Sequence, residues 1–194
     1  MAAPVEPLDF EGYGAVAKLL HWLIAALAVI VIGLGLAIPG APRETAGREV
    51  LLTLHRSVGL SILAVMVFRV AWRWTHKPPP LPPDFPKLVA LTAHLDQALL
   101  YVLFLVMPIS GYVNAAAAGH TVSFFGIVSI PPLLAENVRL SQTADALHLA
   151  MQFFIYLGVG AHLAGALLHF IVAQHRIMER MLPQRRTQRR HDPA

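Results

Sequence analysis

The sequence predicts an all-α integral membrane protein, a bundle of four transmembrane helices, and three observations predict it. First, the 194-residue chain is 56% hydrophobic and only 13% charged, with a mean hydropathy of +0.59; a soluble domain needs about 25% charged residues to cover its surface. Second, four stretches are long enough, at about 1.5 Å per residue, to cross a hydrocarbon core of roughly 30 Å. Third, lysine and arginine segregate to one side of the alternating connections, as membrane topology requires. Disordered and collagen-like chains are excluded by the hydrophobicity, and the length suits a single membrane domain over residues 1–194.

The helices are expected at about residues 13–38, 48–74, 88–113 and 143–175. The first holds an uncharged run from Leu19 to Ile38, closed by Pro39 and Gly40. It is apolar all round, where a soluble helix of that length would show a polar stripe. Glu6, Asp9 and Glu11 precede it and its run is too long for a cleaved signal, so it is expected to stay attached. The second has a fully apolar centre from Leu60 to Phe68; the third carries Asp96 near its start and Pro108 near its end. Between them lie a short connection after Pro39, a proline-rich one from Lys77 to Pro86, and a long one from Asn114 to Gln142. The apolar part of the last, Thr121 to Leu134, is expected to lie along the membrane surface as a cap.

Lys18, Arg69, Arg73, Lys77, Lys87 and the arginines at 176, 180, 185, 186, 189 and 190 fall on one side; Arg43, Arg48, Arg56 and Arg139 fall on the other. The positive-inside rule therefore puts both termini on the cytoplasmic side and the first and third connections outside. The basic tail 176–194 leaves the bilayer directly, so anionic lipid rather than nucleic acid is its expected partner.

With no cysteine, disulfides, zinc–thiolate sites, iron–sulfur clusters and covalently attached haem are excluded. Ten histidines remain, and six of them, His21, His55, His94, His148, His162 and His169, fall in or at the ends of the expected helices. Ionisable groups at such depths mark function by default. His148 and His162 are separated by about four helical turns, roughly 21 Å, and project from nearly the same face. His148 can meet His55 on the outer side, and His162 can meet His21 on the inner side. Two facing pairs suit two non-covalent b haems, each iron held by an imidazole above and below the porphyrin, better than zinc, which takes three or four converging ligands. Gly59 and Gly165, each about one turn beyond a ligand candidate, would let a macrocycle approach the backbone. Arg56 outside, and Lys18, Arg69 or Arg73 inside, are candidate partners for haem propionates.

The chain resembles the bacterial cytochrome b561 family over nearly its whole length. The matching pieces are Lys18-Leu-Leu-His21-Trp22, His55-Arg-Ser-Val-Gly59 followed by Arg69, then His94, Tyr101 and Pro108-Ile-Ser-Gly111, and finally His148, His162 and His169. The resemblance implies His21, His55, His148 and His162 as axial ligands, the four that depth and spacing select. His169, two turns beyond His162 on the same face, is left by the sequence as an alternative inner ligand.

The resemblance also implies electron transfer between the periplasmic side and the quinone pool. Its compact members include superoxide oxidase, which oxidises superoxide to dioxygen outside and reduces ubiquinone near the inner haem; others anchor hydrogenases or other dehydrogenases, so an electron-transfer subunit serving such a partner or a soluble cytochrome is the alternative. Quinone reduction needs protons, for which His169, His94 and Asp96 are candidates, although Asp96 departs from the family's pattern. For superoxide, the outer connections hold Glu44, Glu49, Glu136 and Asp145 against four basic residues, so any attraction must be local. Arg56, His120 and Arg139 are the candidates.

Overall fold

The computed structural model describes residues 12–80, 86–171 and 178–182. Its helices are α1 (Ala15–Ala37), α2 (Ala46–Thr75), α3 (Lys87–Ala117) and α4 (Val138–Ile171), with strands β1 (Val122–Phe124) and β2 (Val128–Ile130) between α3 and α4. All four helices are long and apolar enough to cross a bilayer. Large side chains face outward along them: Val29, Leu157 and Leu163 remain 74%, 60% and 62% exposed. Such surface is compatible only with lipid, which makes the chain a multi-pass membrane protein.

Two boundaries depart from expectation. α3 runs on to Ala117 rather than ending near 113, because the alanines after Asn114 are the strongest helix formers available. α4 begins at Val138 rather than 143. Asn137 caps it, its Oδ1 accepting from Leu140 N at 3.0 Å. The first turn contains Arg139, Ser141 and Gln142 and escapes a search for apolar runs. α2 is capped in the same way by Thr45, whose hydroxyl accepts from Arg48 N. The basic tail lies outside the described residues except for the turn at 178–182.

The core forms a belt at mid-depth. Ile24 and Ala28 of α1, Val58, Ile62 and Met66 of α2 and Phe104 of α3 make one buried cluster, against which Val159 of α4 packs. Leu103 of α3 with Met151 and Ile155 of α4 make a second, joined by Ile32 of α1. The helix connections then close the two ends differently. At one end β1 and β2 form an antiparallel hairpin, Phe124 opposite Val128, over the stretch expected to act as a cap. The hairpin is pinned to α2 by Ser57, fully buried, whose hydroxyl accepts from Phe125 N at 2.8 Å and donates to Thr53 O at 2.6 Å. At the other, basic end the turn at 178–182 docks on α1 and the proline-rich connection. Lys18 Nζ donates to Leu182 O at 2.8 Å, Trp22 Nε1 to Met181 O at 2.9 Å, and Arg180 Nη2 to Pro79 O at 2.7 Å.

Candidate functional site

Paired histidines lie on either side of the belt. Toward the hairpin end, the rings of His55 on α2 and His148 on α4 stand 6.1 Å apart, centre to centre. Toward the basic end, His21 on α1 and His162 on α4 stand 6.2 Å apart. A metal–imidazole bond of roughly 2 Å on each side, plus about 1 Å from each nitrogen to its ring centre, gives about 6 Å for two imidazoles sharing one metal. Among the described residues no three His, Asp or Glu side chains converge as a polydentate metal site would require. The donor set is two by two.

At the hairpin end both rings are aimed by backbone carbonyls. A carbonyl only accepts, so His55 donates its Nδ1–H to Val31 O at 3.2 Å and His148 donates its Nδ1–H to Met107 O at 3.0 Å. Each Nε2 lone pair is then free to bind a metal. Ser110 reinforces the second contact, its hydroxyl donating to the same Met107 carbonyl at 2.7 Å. Between the helices lies a cavity of about 560 Å³, lined by both histidines, Gly35, Gly59, Gly111 and Pro108, with Val122 of the hairpin also in its wall. Gly35 and Gly111 make space for the rings themselves: a β-carbon at 35 would lie 3.2 Å from His55 Cε1, and one at 111 would lie 3.1 Å from His148 Cε1. Gly59 faces the cavity too, with only Pro108 near it at 4.0 Å. The volume, the apolar walls and the paired free nitrogens fit a flat macrocycle such as haem.

At the basic end, His162 donates Nδ1–H to Asp96 Oδ2 at 3.0 Å. His21 Nδ1 faces Arg69 Nη2 at 3.5 Å, and Arg69 Nε donates to Tyr101 O–H at 2.8 Å. The guanidiniums of Arg69 and Arg73 both lie over the Tyr101 ring, at 5.4 and 5.7 Å. Arg73 also donates to Gln97 Oε1 at 3.2 Å. A second, smaller cavity of about 210 Å³ lies here, lined by Val70, Arg73, Trp74, His94, Gln97, Ala98 and Tyr101.

The other candidates scatter. Arg56 lines the large cavity, and so does Arg48, which sequence reasoning missed; Arg48 also donates to Ile38 O and Ala41 O, tying the first connection to α2. His120 and Arg139 are exposed and do not line that cavity. The reason is local: the cavity is built from inward helix faces, whereas His120 follows the turn at Gly119 and Arg139 is in the exposed first turn of α4. Lys18 is engaged with the turn at 178–182. His94 and Asp96 part company, one on the small cavity and the other on His162. Among the described residues, nothing lies within 4 Å of where a Gly165 β-carbon would be. The side chain of His169 lies outside the described residues. Gly35 carried no signal that marks it before its neighbour is known, whereas Ser110 fell within the Pro108-Ile-Ser-Gly111 piece with no role assigned to it.

Four membrane helices with histidine pairs at two depths define a helical membrane protein whose paired imidazoles suit a planar metal cofactor. The chain belongs to the prokaryotic cytochrome b561 family, whose profile matches residues 12–184. It is 29% identical over 172 residues to "Cytochrome b561 homolog 2" of Escherichia coli (strain K12), covering 89% of this chain and 92% of that one. It is 30% identical over 168 residues to "Probable superoxide oxidase CybB" of Yersinia pestis, covering 86% and 93%. "Cytochrome b561 homolog 1" of Escherichia coli (strain K12) is 24% identical over 168 residues. Membership establishes a membrane electron-transfer protein that uses b-type haem.

Proposed function

We propose that the chain is a dihaem cytochrome of the bacterial inner membrane that acts as a superoxide oxidase, taking electrons from superoxide on the periplasmic side and delivering them to ubiquinone on the cytoplasmic side. The observation that carries it is the pair of histidine tiers at opposite depths, separated by the belt around Ile62, Met66 and Phe104. His55 and His148 would hold one haem and His21 and His162 the other, and the similarity to a probable superoxide oxidase supports the choice of substrate. Haem, when bound, supplies a one-electron couple at each tier.

The protein's own residues divide the remaining work. Val31 O and Met107 O fix the ring tautomers at the hairpin end. Arg56 and Arg48 put positive charge on the cavity wall, where it attracts a small anion. The belt keeps water and ions out of the middle of the bundle. At the basic end Arg69 and Arg73 would meet propionates, and His94, exposed on the small cavity, would meet a quinone oxygen; the two guanidiniums over the Tyr101 ring support the first role. The balance is two superoxide anions to two dioxygen, with one ubiquinone taking both electrons and two protons.

Stopped-flow mixing of the purified, haem-quantified protein with superoxide tests the proposal. The expected result is rapid haem reduction that is relieved by added ubiquinone. Reduction no faster than that of free haem, in a protein that still exchanges electrons with quinol, would leave the relay for a separate electron donor as the function.

A further inference from the structure

The four paired histidines differ in what stands behind them. At the hairpin end, both Nδ1–H groups are met by neutral carbonyls, Val31 O and Met107 O. At the basic end, His162 Nδ1–H is met by the Asp96 carboxylate at 3.0 Å, while the facing His21 Nδ1 looks at the Arg69 guanidinium. Asp96 is on α3 and His162 on α4, and the contact joins the two helices as an ion pair when the ring is charged. An acidic side chain in a membrane helix is costly unless it has a partner, and this one's is a ring that the proposed function assigns to iron.

A hydrogen bond to a carboxylate is shorter and roughly twice as strong as one to a neutral acceptor. On a metal-bound imidazole it fixes the ring and raises the ligand's basicity. A more basic axial ligand favours the more oxidised metal, so the partner of Nδ1 is a lever on haem potential. We propose that Asp96 is a positioning residue for the basic-end haem, holding the His162 ring by its Nδ1–H and keeping that site's reduction potential below the value a neutral acceptor would give. The inference rests on His162 being an axial ligand. It accounts for Asp96 without any direct part in proton or quinone chemistry.

Optical redox titration of the purified holoprotein tests it. His162→Ala first identifies which of the two potentials belongs to the basic end; if both haems persist unchanged in that variant, the ligand assignment itself fails, which is a separate result. In Asp96→Asn the ring keeps an acceptor and loses the charge. The basic-end potential is then expected to rise by a tenfold change in equilibrium constant or more, about 59 mV for a one-electron couple, with the hairpin-end potential unmoved. Asp96→Ala is expected to add a changed low-spin electron paramagnetic resonance signal as the ring loses its anchor, and Asp96→Glu to restore the wild-type potential. Potentials in Asn and Ala variants within twofold of wild type, expressed as equilibrium constants, would overturn the proposal. Should Asn and Ala variants lose the basic-end haem, recovery of haem and potential by Glu supports it, and loss in all three overturns it in favour of a purely folding role.

Discussion

Gly111 of α3 lies directly against the ring of His148 on α4: a β-carbon at 111 would stand 3.1 Å from Cε1 and 3.3 Å from Nδ1. Gly35 of α1 bears the same relationship to His55. Gly111→Ala and Gly35→Ala should therefore overpack the hairpin-end tier, each at a cost of about 1–3 kcal/mol. The measurement is haem content, with loss confined to one of two haems. Gly33→Ala, on α1 with Gly35 but with nothing among the described residues within 4 Å of its added carbon, should keep both.

Removal of single ligands should separate the tiers. His55→Ala or His148→Ala is expected to abolish only the hairpin-end haem, and His21→Ala or His162→Ala only the basic-end one. Pyridine-haemochrome quantification should read two haems per wild-type chain and one in each variant. One haem in the wild type would refute the two-tier assignment.

Arg56 is the basic candidate that reaches the large cavity from the sequence-derived set. Arg56→Gln should slow superoxide-driven haem reduction by about tenfold, and the wild-type rate should itself fall as ionic strength rises. His120→Gln and Arg139→Gln, both at exposed positions, should leave it unchanged. Equal effects from all three would mean that bulk charge, not the cavity wall, guides the anion.

Ser57 joins the hairpin to α2 from a fully buried position. Ser57→Ala leaves Phe125 N without its acceptor, a loss of about 1–3 kcal/mol for a buried group. A lower Tm is the expected result, together with faster amide exchange across residues 122–130. An unchanged Tm would show that the hairpin holds itself in place.

Much of the architecture was legible because lipid imposes a coarse rule: long uncharged runs must be helices, and Leu19 to Ile38 admits no other form. Depth was legible as well, since a helix converts residue number into height, which is how His148 and His162 fall at two levels on one face. What escaped was whatever depends on which helix faces which. Asp96 and His94 are two residues apart, yet one turns to α4 and the other to the small cavity beside α2. Hydropathy hides a helix start made of Arg139, Ser141 and Gln142, and the cap at Asn137 that fixes it emerges only with the structure. Gly35 matters only through the ring beside it, a neighbour that no local pattern announces, and the Pro108-Ile-Ser-Gly111 piece that holds Ser110 does not disclose which ring that serine meets.

The mid-depth belt of Ile62, Met66 and Phe104 has an electrical meaning. It places the two histidine levels roughly 21 Å apart in a hydrocarbon layer of about 30 Å, so most of the transmembrane voltage falls between them. With the basic end in the cytoplasm, as proposed, an electron carried from the hairpin level to the basic level would move negative charge inward and work against a potential that is negative inside, by about 1.6 kcal/mol for each 100 mV. Traffic in that direction would charge the membrane and slow as the membrane becomes charged, coupling the proposed turnover to the energetic state of the cell.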